Sequence, residues 1–297
     1  MKPSAVVLVA VLALLGGCAG ASHGGAQGPG AAAAGQAPPP PRDVAPAELL
    51  ARTADEADVV LHLSVARAHP LGSRLEPFVL AWPGWGSTIR RFTSHPLADL
   101  DWIDVVGPRD PAKERLAART TIDDQLVDSR LASSGDGSLR VSLRPEPHLV
   151  TAVPPDGAAA LTAALRGAHV VDPKADADEG VRALLPHPHL FFKQIPEDAQ
   201  SALLRVLSRP DGAALAELEL TCADPAHTEQ VASSIREQVD HANNFLVRMV
   251  TKDLLSGVTV HTDATTVKVS VPASRVQLEA LAALAAAFVP PQPAAAP

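Results

Sequence analysis

The sequence predicts an α+β fold: a mostly antiparallel sheet with helices on one face, built from two similar halves. Segments with alternating apolar residues, typical of half-buried strands, occur between segments with helical spacing. Candidate hairpins are mixed with longer connections, and this mixture favours an antiparallel sheet. Residues 149–165 and 267–284 each end a strand in Val-Pro and enter an Ala/Leu-rich helix. We therefore expect each half to run strand-helix-strand-helix-hairpin-helix.

The first half spans residues 48–170 and begins with the alternating segment DVVLHLS. Pro70 starts a helix, because proline is favoured in the first helical turn. Asp123 and Asp124 are N-cap residues for a second helix. The patterns predict strands at 58–64, 101–106 and 116–122, helices at 70–81, 123–132 and 156–166, and a hairpin of 139–143 with 148–153.

The second half spans residues 186–289. Pro196 starts a helix with apolar residues on one side, at Ala199, Leu203, Leu204 and Leu207. Pro225 starts a long helix that keeps the helical period as far as Leu255. We further predict strands at 189–194 and 214–221, a hairpin of 258–262 with 266–271, and a helix at 274–288. Residues 171–185, which open with the charged run VDPKADADEG, are predicted to be a linker.

The first eighteen residues have the pattern of an export signal. Lys2 precedes an apolar run from Ala5 to Leu15, which fits a signal-peptide core and is too short to span a bilayer. The run ends in Leu15, Gly16, Gly17 and Cys18, which resembles the lipobox of bacterial lipoproteins. The resemblance implies a diacylglyceryl group on Cys18, removal of residues 1–17 and acylation of the new amino group. The alternative is an ordinary secretory signal with an incidental cysteine.

Two terminal segments are predicted to lie outside the folded part. Residues 18–47 are mainly Ala, Gly and Pro, and they are predicted to be a disordered tether behind the lipidated cysteine. Residues 290–297 are predicted to be a disordered tail on the same grounds. In the lipoprotein family the residue after the cysteine influences sorting, and Ala19 favours the outer membrane, facing the periplasm or the surface.

Charge excludes one class of partner. The chain has 33 acidic and 25 basic residues, and its net charge of −8 argues against binding to nucleic acid. The partners that we expect are the membrane, through the lipid anchor, and a protein of the envelope. No cofactor is predicted.

The sequence lacks the signatures of common catalytic sites, among them GxSxG, HExxH, GxxxxGK[ST], GxGxxG and CxxC. With Cys18 lipidated, Cys222 has no cysteine partner within the chain. We predict that Cys222 is a small apolar residue at the end of a buried strand, and a catalytic nucleophile is the alternative.

Four groups of residues are candidates for a site. His187 and His189 are spaced i, i+2 on a segment predicted to be extended, so both imidazoles would share a face; they could begin a metal site, although no third ligand is specified. Trp82 and Trp85 lie on a Gly/Pro-rich loop, where they could stack on a sugar or partner or could cap the core. One acidic group could hold calcium, but we predict that it is a solvated linker: Asp172, Asp176, Asp178 and Glu179. A second group could form paired carboxylates, but we predict turn and outward positions for it: Asp99, Asp101 and Asp104.

The expected function is that of a cell-envelope lipoprotein whose folded domain is a non-catalytic binding or scaffold module. One alternative is a carrier that holds an apolar ligand such as a lipid between sheet and helices. The other is an envelope enzyme with scattered catalytic residues, using His187, His189 or Cys222.

Overall fold

The computed structural model describes residues 42–54, 57–68, 76, 85–95, 98–108, 110, 113–133, 141–173, 178–191, 195 and 199–286. The predicted signal peptide, Cys18, nearly all of the tether and the tail lie outside the described residues, as do Trp82 and nearly all of the helix predicted at 70–81.

The described residues form twelve strands. They are β1 (Arg42–Val44), β2 (Val59–Ser64), β3 (Leu100–Gly107), β4 (Arg115–Thr120), β5 (Val141–Glu146), β6 (Leu149–Val153), β7 (Ala168–Val170), β8 (Glu179–Leu185), β9 (Ala199–Ser208), β10 (Ala214–Cys222), β11 (Thr259–Asp263) and β12 (Thr266–Ala273). Strands β1 and β7 pair in parallel, and the other ten form one sheet in the order β11-β12-β10-β9-β8-β2-β3-β4-β6-β5. Every neighbouring pair of the large sheet is antiparallel, as predicted.

Helices connect most of these strands. They are α1 (Pro46–Ala51), α2 (Val65–Ala68), α3 (Trp85–Phe92), α4 (Asp124–Ser133), α5 (Ala158–Leu165), α6 (Pro188–Phe191), α7 (Pro225–Ala242), α8 (Phe245–Thr251) and α9 (Arg275–Ala286). The α7 helix begins as predicted: the Asp224 carboxylate accepts hydrogen bonds from the backbone N–H groups of Ala226 and His227, at 2.9 and 3.0 Å. Two 3₁₀ turns, Pro155–Gly157 and Leu254–Gly257, complete the helical segments among the described residues.

The two halves of the chain build the two halves of the sheet. From the central pair β2–β8, one half runs outward as β2-β3-β4-β6-β5 and the other as β8-β9-β10-β12-β11. In each half, helical segments follow the first and the third strand, and the last two strands form a hairpin that leads into a helix. The prediction of two similar halves is confirmed, and both halves belong to one continuous sheet.

One face of the sheet carries the larger hydrophobic cluster, and we call it the helix face. Alternate strand residues such as Leu61, Ile103 and Leu204 pack there against buried side chains of the helices, including Ile89 and Val231. This segregation follows from the strand period, since residues i and i+2 point to the same side. Most of the helices therefore cover one face, as the sequence predicts.

The opposite face, which we call the second face, is covered at one end. Leu49 and Leu50 of α1 and Leu161 of α5 pack there against Trp102 and Leu149 of the sheet. Among the described residues, the buried members of both clusters lie between Val44 and Leu281.

The helix predicted from Pro196 through Leu207 is wrong, because residues 199–208 form β9. Leu203 and Leu207 lie on the second face, whereas Ala202 and Leu204 lie on the helix face. Both faces of this strand bear apolar side chains, and such a run matches both the helical and the strand period. Hydrogen bonding to β8 and β10 stabilises the strand.

Three further boundaries differ from the predictions. The predicted linker 171–185 contains β8, which joins the two halves through β2. The strand predicted at 189–194 is wrong at its start, where α6 ends at Phe191. The long helix predicted from 225 to 255 is broken at Asn243–Asn244 into α7 and α8. That break presents the surface described next.

Candidate functional site

The α8 helix and its neighbour α9 expose large apolar side chains. The exposed fractions are 80% for Phe245, 64% for Leu246, 56% for Met249, 37% for Val250 and 60% for Val276. We call these five residues the helix patch. Single exposed apolar residues are common on protein surfaces, but a cluster of this kind marks a binding surface more often than chance placement does.

The patch lies on a helix that is held at both ends. The side-chain oxygen of Asn244 accepts hydrogen bonds from the backbone N–H groups of Leu246 and Val247, at 3.1 and 3.2 Å. At the other end, Lys252 has a left-handed φ of 55°, and its carbonyl oxygen accepts a hydrogen bond of 2.8 Å from the Gln277 side chain of α9. A cap and a cross-link of this kind fix the direction in which α8 presents its side chains.

The turn after α8 secures it to the core. Leu254 and Leu255 are 1% and 2% exposed. Because Leu254 and Leu255 pack this segment against the core, the exposure of the patch residues is not a consequence of loose packing.

The two halves differ at this point. In the first half, residues 121–140 join β4 to β5, whereas residues 223–258 join the corresponding strands β10 and β11. The second connection is 16 residues longer, and α8 lies within the added length. Since the first half forms its hairpin with the shorter connection, the apolar residues of α8 are not required by the shared architecture.

A row of charged residues crosses the second face. His62 is directly opposite Asp104 on one side and Arg182 on the other, and Arg182 is in turn opposite Arg205. Directly opposed residues of an antiparallel sheet point to the same face. Arg205 continues the row to Glu217, at 3.1 Å.

The three cations of this row are paired within the sheet. Lys268 lies 3.0 Å from the second oxygen of Glu217, and Arg182 lies 3.6 Å from Glu179, which is completely buried. Glu219 is directly opposite Lys268 on the same face. These pairings favour one strand register, because a slip of one strand by one residue would move that strand's members of the row to the helix face.

The most buried part of the row is the pair of His62 and Asp104, which are 8% and 1% exposed. Nδ1 of His62 lies 3.3 Å from Oδ1 of Asp104. Nε2 of His62 has no hydrogen-bond partner within the described part of the chain. The pair resembles the orienting half of a catalytic triad, but no nucleophile is bonded to the free nitrogen there.

Burial raises the pKa of Asp104 above its ordinary value of 3.8, although the hydrogen bond from His62 and the charge of that imidazole oppose the shift. Protonation therefore favours the folded state. The contribution of Asp104 to stability is complete below about pH 3.8, its unfolded pKa, and is lost as the pH rises through the folded pKa.

The variant Asp104→Asn should lose this dependence, because its amide does not ionise. We expect the stability of the variant relative to wild type to rise as the pH increases from 4 to 8. Urea unfolding of both proteins at each pH measures the difference, in which the titrations of groups distant from Asp104 largely cancel. A difference that stays constant with pH would contradict the raised pKa.

The structure places the sequence-predicted candidates apart from the helix patch. Trp85 is 2% exposed at the start of α3, so of its two predicted roles the packing role fits. His187 and His189 have ring centroids 6.2 Å apart, but His189 lies in α6 and not on the extended segment expected. Cys222 ends β10 with 2% exposure, as predicted. No group of three His, Cys, Asp or Glu that could hold a metal occurs among the described residues.

The two acidic groups are dispersed among separate contacts. Asp172 accepts a hydrogen bond of 3.0 Å from the Trp102 indole and lies 2.5 Å from Arg119. Asp99 accepts hydrogen bonds from the backbone N–H groups of Ser94 and His95, as a turn residue does. The prediction that Asp104 points outward is wrong, since the covered end of the second face encloses it. Glu179 is likewise buried in β8, whereas Asp176 lies outside the described residues.

Sequence reasoning did not find the helix patch. A continuous helix from Pro225 would place Leu246, Met249 and Val250 on its apolar side, and that side would be buried. The available signal was the pair Asn243–Asn244, since asparagine is a strong N-cap residue and a poor residue for a helix interior. A new helix beginning there rotates Phe245 and Leu246 away from the core.

Comparisons with known proteins leave the chain without a family. No family model and no curated protein matches it. Among solved structures, crystal form I of TP0453 has a TM-score of 0.48 at 12% identity, covering 82% of this chain and 100% of that chain. Crystal form III has a TM-score of 0.47 at 14% identity, covering 80% of this chain and 98% of the other. At these values the similarity has no bearing on function.

No helix within the described ranges is both long enough and apolar enough to cross a bilayer.

Proposed function

We propose that this chain is a lipid-anchored protein of the bacterial cell envelope, and that its folded domain is a binding module without a catalytic role. The anchor is proposed from the lipobox-like sequence that ends at Cys18, and the binding role from the helix patch. Ala19 supports placement in the outer membrane.

The helix patch is the single observation that carries the binding role. Phe245 and Leu246 are held by a capped helix in a connection that is longer than its counterpart in the first half. A surface that exposes large apolar side chains to solvent at a fixed position is suited to contact with an apolar partner surface. The charged row supports no comparable role, because its cations are paired with carboxylates of the same sheet.

Photocrosslinking in cells tests this proposal. A photoreactive amino acid would be placed at Val276, which is in the helix patch and 60% exposed. The same amino acid at Leu126, which is 43% exposed on α4 and outside the patch, is the matched control. We expect a discrete adduct from position 276 that is absent from position 126.

Either a lipid or a protein adduct at position 276 would support a binding module. Identical products from the two positions, or none from either, would contradict it. Measurement of thermal unfolding for both proteins shows whether the substitutions leave the fold intact.

A further inference from the structure

We infer that the helix patch docks on the surface of a lipid bilayer, with its apolar side chains at the boundary between headgroups and acyl chains. The inference rests on the proposed function in one respect, because the bilayer is the membrane in which the acyl chains on Cys18 are inserted. It goes beyond that function by naming the partner of the patch.

The arrangement of the patch suits an interfacial helix. Phe245, Leu246, Met249 and Val250 follow the spacing i, i+1, i+4, i+5, so they share one side of α8. Val276 extends the apolar area onto α9. An interfacial helix lies in the plane of the membrane with such a side inserted by about 5–10 Å.

The charges at the rim are compatible with this orientation. Arg248 lies 2.6 Å from Asp253, and Arg275 lies 3.1 Å from Glu279, so each of these two carboxylates beside the patch is paired with a cation. Lys252 follows α8 with an exposed side chain. Long cationic side chains at the edge of an inserted surface can keep their charged ends among the headgroups while their methylene groups cover apolar area.

The anchor leaves the patch within reach of the bilayer. The described chain begins at Arg42 in β1, whose sheet packs over β3 and β4, and 23 residues separate it from Cys18. That length of chain spans at most about 80 Å. From β4 to β12, against which the turn after α8 packs, the sheet has six strand spacings, or about 29 Å in total.

Attachment at Cys18 also lowers the affinity that the patch must supply. A module tethered to a surface meets it at a high effective concentration, so a patch that binds vesicles measurably as a free protein is occupied most of the time when the protein is anchored. Each fully inserted Leu or Phe side chain raises a partition coefficient roughly tenfold or more. We therefore expect the five patch side chains to bind the free protein to vesicles as well.

Vesicle flotation tests the inference without the anchor. The protein used is residues 19–297, which contain every described member of both hydrophobic clusters. The vesicles contain three parts phosphatidylethanolamine to one part phosphatidylglycerol. The variant is Leu246→Glu, and its matched control is Leu126→Glu, which makes the same change at an exposed leucine outside the patch.

We expect wild type and Leu126→Glu to float with the vesicles, and Leu246→Glu to lose at least tenfold in partition coefficient. A dye on Met249→Cys should report an apolar environment on vesicle addition; Cys222 is buried and should remain unlabelled. Circular dichroism of each variant shows whether it is folded.

Equal flotation of the two glutamate variants, or no flotation of the wild type, would overturn membrane docking. A dimer that Leu246→Glu dissociates would also overturn it, by assigning the patch to a second copy. All three results differ from failure of the proposed function, which requires that position 276 form no specific adduct of any kind in cells.

Discussion

Replacing Phe92 by alanine is expected to lower the free energy of unfolding by about 3–5 kcal/mol. The Phe92 side chain is completely buried in the cluster on the helix face, on the same side of α3 as Trp85 and Ile89. Loss of the ring removes apolar area from a close-packed core. The sheet beneath cannot move to fill the resulting cavity, and this increases the cost. Urea unfolding followed by circular dichroism measures the change.

Phe245→Ala is the matched control for this experiment, because it makes the same change at a side chain that is 80% exposed. We expect its effect on stability to lie within about 0.5 kcal/mol of zero. Equal losses in the two variants would contradict the assignment of Phe245 to the surface. The control also shows whether the patch can be altered without unfolding the domain.

Replacing Cys18 by alanine is expected to abolish lipid attachment completely. Thioether formation requires the thiol, and in the lipoprotein family cleavage of the signal peptide follows lipidation. The variant should therefore keep residues 1–17 and carry no acyl chains. Wild type should begin at Cys18 with two or three acyl chains, which are enough for stable anchoring where one chain is not. Intact-protein mass spectrometry distinguishes the two forms.

Cys222→Ala provides the matched control, since it removes the other cysteine of the chain. Its thiol is buried at the end of β10, so the control protein should be acylated as wild type is. Acyl chains on Cys18→Ala, or wild type beginning at Met1 without them, would contradict the proposed anchor.

A combination of these variants separates the two modes of membrane contact. The chain from residue 19 onward lacks the anchor but keeps the patch, whereas full-length Leu246→Glu keeps the anchor. In the arrangement that we propose, the acyl chains hold the protein at the membrane and the patch sets the orientation of the domain against it. Loss of the anchor should therefore have the larger effect on localisation.

Most elements with a strong local signal could be predicted from sequence. The β11–β12 hairpin and the start of α7 at Pro225 were found because turn and cap residues act over a few positions. Elements whose apolar residues fit both the helical and the strand period could not be predicted in this way. Residues 199–208 have apolar side chains on both sides, and the hydrogen-bond partners on β8 and β10 selected the strand.

The candidate site was the least predictable part. Periodicity identifies which residues share a side of a helix, but it cannot say whether that side meets a core or solvent. For Leu246 and Met249 the answer depended on the break at Asn243–Asn244 and on where the core ended. The same limit applies to Asp104, whose burial comes from its place beside the covered end of the second face.

By itself the sequence determined the features whose causes are local: the start of α7 at Asp224 and Pro225, the two hairpins and the repetition of one unit in two halves. Tertiary structure alone decided the pairing of β2 with β8 that merges those halves into one sheet, the burial of His62 with Asp104, and the exposure of the helix patch. These depend on which surfaces meet across long separations in the chain, and local propensity does not contain that information.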